Sequence, residues 1–210
     1  MRHPNECRLY GFIDLSYILA EDTERATKSM IDGGVDLIQL RGKTRPIAEI
    51  VGLAAKLHRI TEPAGVPLIV NDHAPVAEQI LVEGVHVGQE DDSVSSARQK
   101  AGRPIIVGKS THSLEQAGAA QAEGADYIGF GPIFSTPTKP DYHPIGLDQI
   151  KVVHEQVQLP IFCIGGIKID NLGAVLAAGA KRVAIVSGLL KASDIAKYAR
   201  GCKVVLNPEG

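Results

Sequence analysis

Short apolar runs, rich in β-branched residues, alternate along the chain with longer segments of helical period. In segments such as 24–34 and 113–125, apolar residues recur at three- and four-residue spacing among Ala, Glu and Lys, which predicts amphipathic helices. The short runs predict eight strands: Arg8–Asp14, Val35–Leu40, Leu68–Asn71, Gly84–Val87, Ile105–Gly108, Tyr127–Gly131, Ile161–Gly165 and Arg182–Val186.

This alternation of strands and helices predicts a parallel sheet, because each helical crossover carries the chain back to the edge where the next strand begins. Glycine adopts the left-handed conformation that closes a helix, and glycines follow several helical segments, at Gly34, Gly65, Gly84, Gly124 and Gly179. Eight such units predict an α/β fold of the (β/α)8 TIM barrel type. We expect a single domain over residues 1–210, with short irregular termini at about 1–7 and 202–210. An open doubly wound sheet is the alternative, but the first strand-to-helix turn has no GxGxxG fingerprint.

Composition excludes several classes of function. The net charge of −2 leaves no basic excess for a nucleic-acid backbone. No apolar run approaches the roughly 20 residues that span a bilayer, and the first residues lack the apolar core of a signal peptide. The three cysteines predict free thiols and a cytoplasmic protein, with Cys163 as a small buried apolar residue. A homo-oligomer is compatible with the sequence, which does not specify the number of subunits.

Polar residues gather where the second and fifth predicted strands end, at the face of the barrel that carries active sites in this fold. Strand alternation points Gln39 and Arg41 to the same side, and Lys43 follows. These cations suit an anionic ligand, although a solvated charged loop has the same pattern. After the fifth strand, Ser110 could face the pocket or cap a helix, and His112 could transfer protons or begin that helix.

Two carboxylates follow the third and fourth strands, which lie roughly 5 Å apart in a sheet. Asp72 and Asp91 are the kind of oxygen ligands that hold Mg²⁺ together with substrate phosphates. Asp72 could instead cap a helix predicted at Ala74–Leu81, and Asp92 or Ser93 could cap the next helix. His86, between two valines of the fourth strand, is predicted to be a packed, hydrogen-bonded residue of the barrel.

The last three strand ends predict a second anion site. The long segment from Gly131 to Gly146 presents Thr136, Thr138 and Lys139, which is typical of a loop that holds an anion. Gly165-Gly166 and Ser187-Gly188 follow the seventh and eighth strands, where barrels of this kind often bind phosphate through backbone N–H groups. Two phosphorylated substrates and a magnesium ion would account for both sites.

Six strand-end motifs together resemble the thiamine phosphate synthase family, from about residue 8 to residue 190. They are QLRGK at 39–43, VNDHAPVA at 70–77, GVHVGQED at 84–91, GKSTHS at 108–113, DYIGFGPIFSTPTK at 126–139 and CIGGI at 163–167. The resemblance implies an enzyme that joins a pyrimidine diphosphate to a thiazole phosphate with the help of Mg²⁺. It implies loss of the diphosphate first, followed by attack of the thiazole nitrogen on the resulting pyrimidine methyl cation.

The resemblance also implies a role for individual residues. Those implied to bind the pyrimidine diphosphate are Gln39, Arg41, Lys43, Asn71, Ser110 and Lys139, of which Arg41, Ser110 and Lys139 would be catalytic. Those implied to bind the thiazole phosphate are Thr136, Thr138, Gly166, Val186 and Ser187. Asp72 and Asp91 match the magnesium ligands.

Two departures from the family pattern and three rival functions bear on this assignment. His73 stands where many relatives carry an acidic residue, and the first strand has an unusual form on which no ligand can be placed. A thiazole tautomerase-like relative would lack the pyrimidine diphosphate cluster, and a non-catalytic phosphate-binding barrel would not need two carboxylates. A sugar-phosphate isomerase would need an acid/base pair across the mouth of the barrel.

Overall fold

The computed structural model describes residues 2–136 and 143–207, which form a closed barrel of parallel strands in sequential order. The strands are β1 (Leu9–Asp14), β2 (Leu37–Arg41), β3 (Leu68–Asn71), β4 (Gly84–Val87), β5 (Ile106–Thr111), β6 (Tyr127–Phe130), β7 (Ile161–Cys163) and β8 (Val183–Ile185). The helices are α1 (Thr23–Asp32), α2 (Ile47–Thr61), α3 (Ala74–Gln79), α4 (Val94–Ala101), α5 (Leu114–Ala122), α6 (Asp148–Gln156), α7 (Ile169–Ala177), α8 (Ser187–Leu190) and α9 (Ile195–Leu206). The predicted (β/α)8 barrel is confirmed, and the open doubly wound sheet is excluded by the pairing of β1 with β8.

Three details differ from the sequence-based expectation. The fifth strand continues to Thr111, past the predicted end at Gly108, because its last four residues, 108–111, pair with the whole of β6. Gly84 does not close a helix: it is the first residue of β4, where an added Cβ would lie 2.3 Å from the Ile106 carbonyl oxygen. The C-terminal segment is not irregular from residue 202, since α9 continues to Leu206 and buries both Cys202 and Leu206.

Apolar residues fill two separate regions. The larger cluster lies between the strands and the surrounding helices. The second lies inside the barrel, where rings dominate: Tyr10, Phe12, Tyr127 and Phe162 pack with ring centroids 4.9 to 5.8 Å apart. These rings close the inside of the barrel, so that polar side chains at the carboxyl ends of the strands rest on a solid floor.

The three cysteines are free and buried, as the sequence predicts. Burial raises the pKa of the Cys163 thiol to about 12, which fits its interpretation as a small apolar residue. Within residues 2–136 and 143–207, no helix is both long and apolar enough to cross a membrane.

Gly108 is required by the large rings inside the barrel. A Cβ at this position would lie 2.0 Å from Cζ of Tyr127. We expect Gly108→Ala to lower the free energy of unfolding by about 2 kcal/mol, because the Tyr127 ring has to move within a packed interior. Urea unfolding followed by circular dichroism measures this change.

Gly118→Ala is the matched control. Gly118 lies within α5, and nothing lies within 4 Å of an added Cβ. Alanine is the better helix former, so this variant should gain about 0.5 to 1 kcal/mol. Equal effects of the two substitutions would contradict the close packing of Tyr127 on Gly108.

Candidate active site

A pocket opens at the carboxyl ends of the strands and brings together residues from each strand or from the loop directly after it. Of the predicted site residues, those that line it are Gln39, Arg41, Lys43, Asn71, Asp72, Asp91, Ser110, Thr136, Gly166, Val186 and Ser187. The other two, Thr138 and Lys139, lie outside the described residues. The pocket therefore gathers every predicted residue that the structure describes, although their individual roles stay predictions.

The first strand contributes a residue that the sequence analysis missed. Asp14, the last residue of β1, is fully buried, and its Oδ2 accepts a hydrogen bond of 2.8 Å from Nη1 of Arg41. The two residues are register partners in the β1–β2 pair. Oδ1 of Asp14 accepts a second bond, from the Ser16 backbone N–H. Asp14 thus holds the Arg41 guanidinium at the pocket wall.

The predicted carboxylate pair lies at the β3–β4 side of the mouth. The side chains of Asp72 and Asp91 are close enough to interact, and Lys43 Nζ lies 3.7 Å from Asp72 Oδ2. Burial, followed by the hydrogen bond to Asp91 and its charge, raises the pKa of Asp72 to about 6, against the opposing effect of Lys43 and Arg41. Two acidic groups this close favour a cation between them.

The alternative that Asp72 caps α3 is not supported. The residue before α3 is His73, and its side chain makes no capping hydrogen bond. Asp72 itself has a positive φ of 62°, which is uncommon outside glycine and is fixed by a bond from its N–H to the His86 carbonyl oxygen. This backbone conformation directs Asp72 to the pocket.

The polar residues after β4 have two different roles: Asp92 and Ser93 make structural contacts, and Asp91 lines the pocket. Ser93 caps α4 by accepting a bond from the Ser96 N–H, while Asp92 pairs with Lys100 away from the pocket. Asp91 Oδ2 accepts a bond of 2.8 Å from the Gly88 N–H, which keeps the exposed Asp91 side chain beside Asp72. Asp72 and Asp91 are therefore the two carboxylates that could hold a divalent cation, with phosphates and water completing its shell. No cluster of three or more His, Cys, Asp or Glu side chains suited to a metal occurs among the described residues.

The fifth strand settles the two alternatives left open for Ser110 and His112. Ser113 caps α5, so Ser110 is a strand residue whose hydroxyl lies 2.9 Å from Nε2 of His86. His112 does not begin the helix: its Nδ1 contacts the carbonyl oxygen of Gly131, and the side chain lines the pocket. His86 is buried and hydrogen-bonded as predicted, but it also lines the pocket.

The glycine pair after β7 packs closely against the loop after β6 and also lines the pocket. Gly165 and Gly166 have φ of 98° and 65°, and added Cβ atoms would lie 2.4 Å from Pro132 and 2.7 Å from Phe134. The Phe134 N–H donates to the Gly165 carbonyl oxygen at 3.0 Å. The start of the loop after β6 is therefore bonded to the loop after β7, and both face the pocket beside Val186 and Ser187.

Comparison with known sequences shows which family this chain resembles. The model of a family described as thiamine monophosphate synthase matches residues 9–189, which is most of the chain. The chain belongs to this family. Two similar relatives are thiamine-phosphate synthases. The one from Pelotomaculum thermopropionicum is 38% identical over 96% of this chain and 93% of its own, and the one from Chloroflexus aurantiacus is 39% identical over 98% and 95%.

Solved structures agree with this family assignment. A thiamine phosphate pyrophosphorylase from Pyrococcus furiosus superposes with a TM-score of 0.88 at 30% identity, covering 98% of each chain. A 3-hexulose-6-phosphate synthase from Salmonella typhimurium, at 20% identity and a TM-score of 0.72 over 97% of this chain and 100% of its own, shares the fold alone. The predicted family, barrel and thiamine-phosphate synthase enzyme class are confirmed, and the tautomerase-like and non-catalytic alternatives are not favoured.

Asp14 allows a test of how this family member holds Arg41. We expect Asp14→Ala to lower the free energy of unfolding by about 3 kcal/mol, because it leaves the largely buried Arg41 without its charge partner. Urea unfolding measures this loss. Asp92→Ala removes the exposed pair with Lys100 and should cost less than about 1 kcal/mol. Similar losses in both variants would show that Asp14 is not the anchor of Arg41.

Proposed function

We propose that the chain condenses 4-amino-2-methyl-5-hydroxymethylpyrimidine diphosphate with 4-methyl-5-(2-phosphoethyl)thiazole, giving thiamine phosphate and diphosphate. The observation that carries this proposal is one pocket with two different anion-binding walls. Arg41, Lys43 and the carboxylate pair line one wall, and the glycine loops after β7 and β8 line the other. Two phosphorylated substrates side by side fit this arrangement, whereas a single sugar phosphate would use only one wall.

Mg²⁺ is the cofactor of this proposal, and the donor set fits it. Asp72 and Asp91 supply hard oxygen ligands on one side of the pocket. Burial and the neighbouring Asp91 raise the pKa of Asp72, and a bound cation would offset the like charge of the pair. When bound, the ion would neutralise the charge that develops on the departing diphosphate. His73, in place of an acidic residue, lies beside Asp72 in the chain but does not line the pocket.

Arg41 and Lys43 are proposed to hold the diphosphate as it leaves. Arg41 is kept in place by Asp14, so its guanidinium is already oriented before a substrate arrives. A donor fixed in this way costs little reorganisation when negative charge develops on the diphosphate, which is how such groups lower a barrier. Lys139, predicted to act on the same group, lies outside the described residues.

Gln39, Asn71 and Ser110 are proposed to position the pyrimidine ring. All three line the pocket. Thr136, Gly166, Val186 and Ser187 are proposed to hold the thiazole phosphate, together with Thr138, which lies outside the described residues. Fixing the two substrates in line turns a reaction between separate molecules into one within a single complex. The thiazole nitrogen attacks through its lone pair, so no proton has to be removed from it.

The direct test incubates the purified protein with both substrates and Mg²⁺ and measures thiamine phosphate by chromatography. We expect equal amounts of thiamine phosphate and diphosphate, and loss of activity with excess chelator. Asp72→Ala and Asp91→Ala should each lower kcat/KM by about 100-fold or more, because the cation then loses a ligand.

Asp92→Ala is the matched control, since Asp92 pairs with Lys100 outside the pocket and should keep near-normal turnover. Circular dichroism would show that each variant is folded. Absence of product from the unmodified protein would contradict the proposed reaction. Full activity of both Asp72→Ala and Asp91→Ala would contradict the proposed metal ligands.

A further inference from the structure

Five polar side chains form a continuous chain of hydrogen bonds across the floor of the pocket. Nε2 of Gln39 donates to the Tyr10 hydroxyl at 2.6 Å, and the Tyr10 and Tyr127 hydroxyl oxygens lie 2.8 Å apart. The Tyr127 oxygen lies 3.1 Å from Nδ1 of His86, whose Nε2 lies 2.9 Å from the Ser110 hydroxyl oxygen. The chain links two pocket residues on β2 and β5 through side chains that are buried in the barrel.

The amide of Gln39 sets the direction of this chain. Its Nε2 can only donate, so the Tyr10 oxygen accepts and the Tyr10 proton needs an acceptor of its own. Within the described residues, the other hydrogen-bond partner of this hydroxyl is Tyr127. A buried hydroxyl proton without an acceptor is costly, and Tyr10 is only 2% exposed, so Tyr10 donates to Tyr127.

The same assignment of donors and acceptors continues to the Ser110 end of the hydrogen-bond chain. Tyr127 accepts from Tyr10 and therefore donates to Nδ1 of His86. A neutral imidazole that accepts at Nδ1 carries its proton on Nε2, so His86 donates to the Ser110 oxygen. The Ser110 proton is then left to point to another acceptor, and Ser110 lines the pocket.

The Gln39 end of the hydrogen-bond chain presents an acceptor to the pocket instead of a donor. Gln39 is 1% exposed and lines the pocket, and among the described residues its Oε1 has no hydrogen-bond partner. A buried carbonyl oxygen of this kind is normally satisfied, which indicates that a ligand supplies the missing donor. The pocket floor thus presents an acceptor at one end and a donor at the other.

We infer that Tyr10, Tyr127 and His86 are positioning residues that fix this polarity, and that the floor is built for a ring with an amino N–H at the Gln39 end and an unprotonated ring nitrogen at the Ser110 end. An aminopyrimidine has both features. An oxo-pyrimidine has a carbonyl oxygen in place of the amino group and a proton on a ring nitrogen, so its polarity is reversed. The inference rests on the proposed function, because it places the pyrimidine substrate over this floor.

The first experiment measures competitive inhibition by two ligands that lack the reactive diphosphate. These are the aminopyrimidine monophosphate and its 4-oxo counterpart, each tested against the diphosphate substrate. The unmodified protein should prefer the amino compound by about 100-fold, since the oxo compound leaves buried polar groups unpaired. In Tyr10→Phe the Gln39 amide is free to rotate and offer Nε2 to a carbonyl, so the preference should fall by about tenfold or more.

Phe162→Leu is the matched control for this experiment. Phe162 packs against Tyr10 with ring centroids 5.2 Å apart, yet it has no hydroxyl and does not line the pocket. This variant loosens the same interior but removes no hydrogen-bonding group, and it should keep the preference of the unmodified protein. An unchanged preference in Tyr10→Phe, or an equal loss in Phe162→Leu, would overturn the inference.

The second experiment needs no substrate and no activity. Nitrogen-15 NMR of the histidine rings reports which nitrogen carries the proton, and His86→Gln identifies the His86 signals among those of the seven histidines. We expect the Nε2–H form of His86 in the unmodified protein and a mixture of both forms in Tyr127→Phe, which removes the donor to Nδ1. A dominant Nδ1–H form or a doubly protonated ring in the unmodified protein would overturn the inference. Failure of the proposed function would instead appear as no product from a protein with the expected tautomer.

Discussion

The inside of a closed eight-stranded barrel has to be filled by the inward-facing side chains of its own strands, and every feature of the pocket depends on how this is done. Here Tyr10, Tyr127 and Phe162 fill the space, and Gly108 makes room for the Tyr127 ring. Because two of these rings end in hydroxyl groups, the same packing that supports the barrel also carries hydrogen bonds to Gln39 and, through His86, to Ser110. The floor of the pocket is therefore rigid and polar at once.

The charged side chains at the rim of the pocket are compensated in two different ways. Arg41 is neutralised in advance by the fully buried Asp14, which fixes its position while leaving its remaining donors for a ligand. Asp72 and Asp91, in contrast, lie against each other, and Lys43 compensates them only at 3.7 Å. The rim thus combines a preorganised cation with an acidic pair that favours a metal ion. In the proposed reaction, this combination would stabilise the negative charge on the departing diphosphate.

Much of this arrangement could be predicted from the sequence, because strand period and strand-end chemistry are local properties. The alternation of Gln39 and Arg41, and the carboxylates after β3 and β4, indicated residues that the structure brings together in one pocket. Asp14 was missed although it ends a strand of the same alternating pattern, since its role depends on register with Arg41 on the next strand. The hydrogen-bond chain through Tyr127 could not be predicted from the sequence either, because it joins residues 117 positions apart. The extension of β5 to Thr111, which makes Ser110 a strand residue, follows from pairing with β6 rather than from local composition.

We propose that one pocket holds two phosphorylated substrates on separate walls, and a crystal structure of the protein with thiamine phosphate, diphosphate and Mg²⁺ would show where each group binds. We expect the diphosphate and the ion beside Arg41, Asp72 and Asp91, and the phosphate of thiamine phosphate at the loops that contain Gly166 and Ser187. Both phosphorylated groups on one wall, or a metal ion bound away from Asp72 and Asp91, would contradict this proposal.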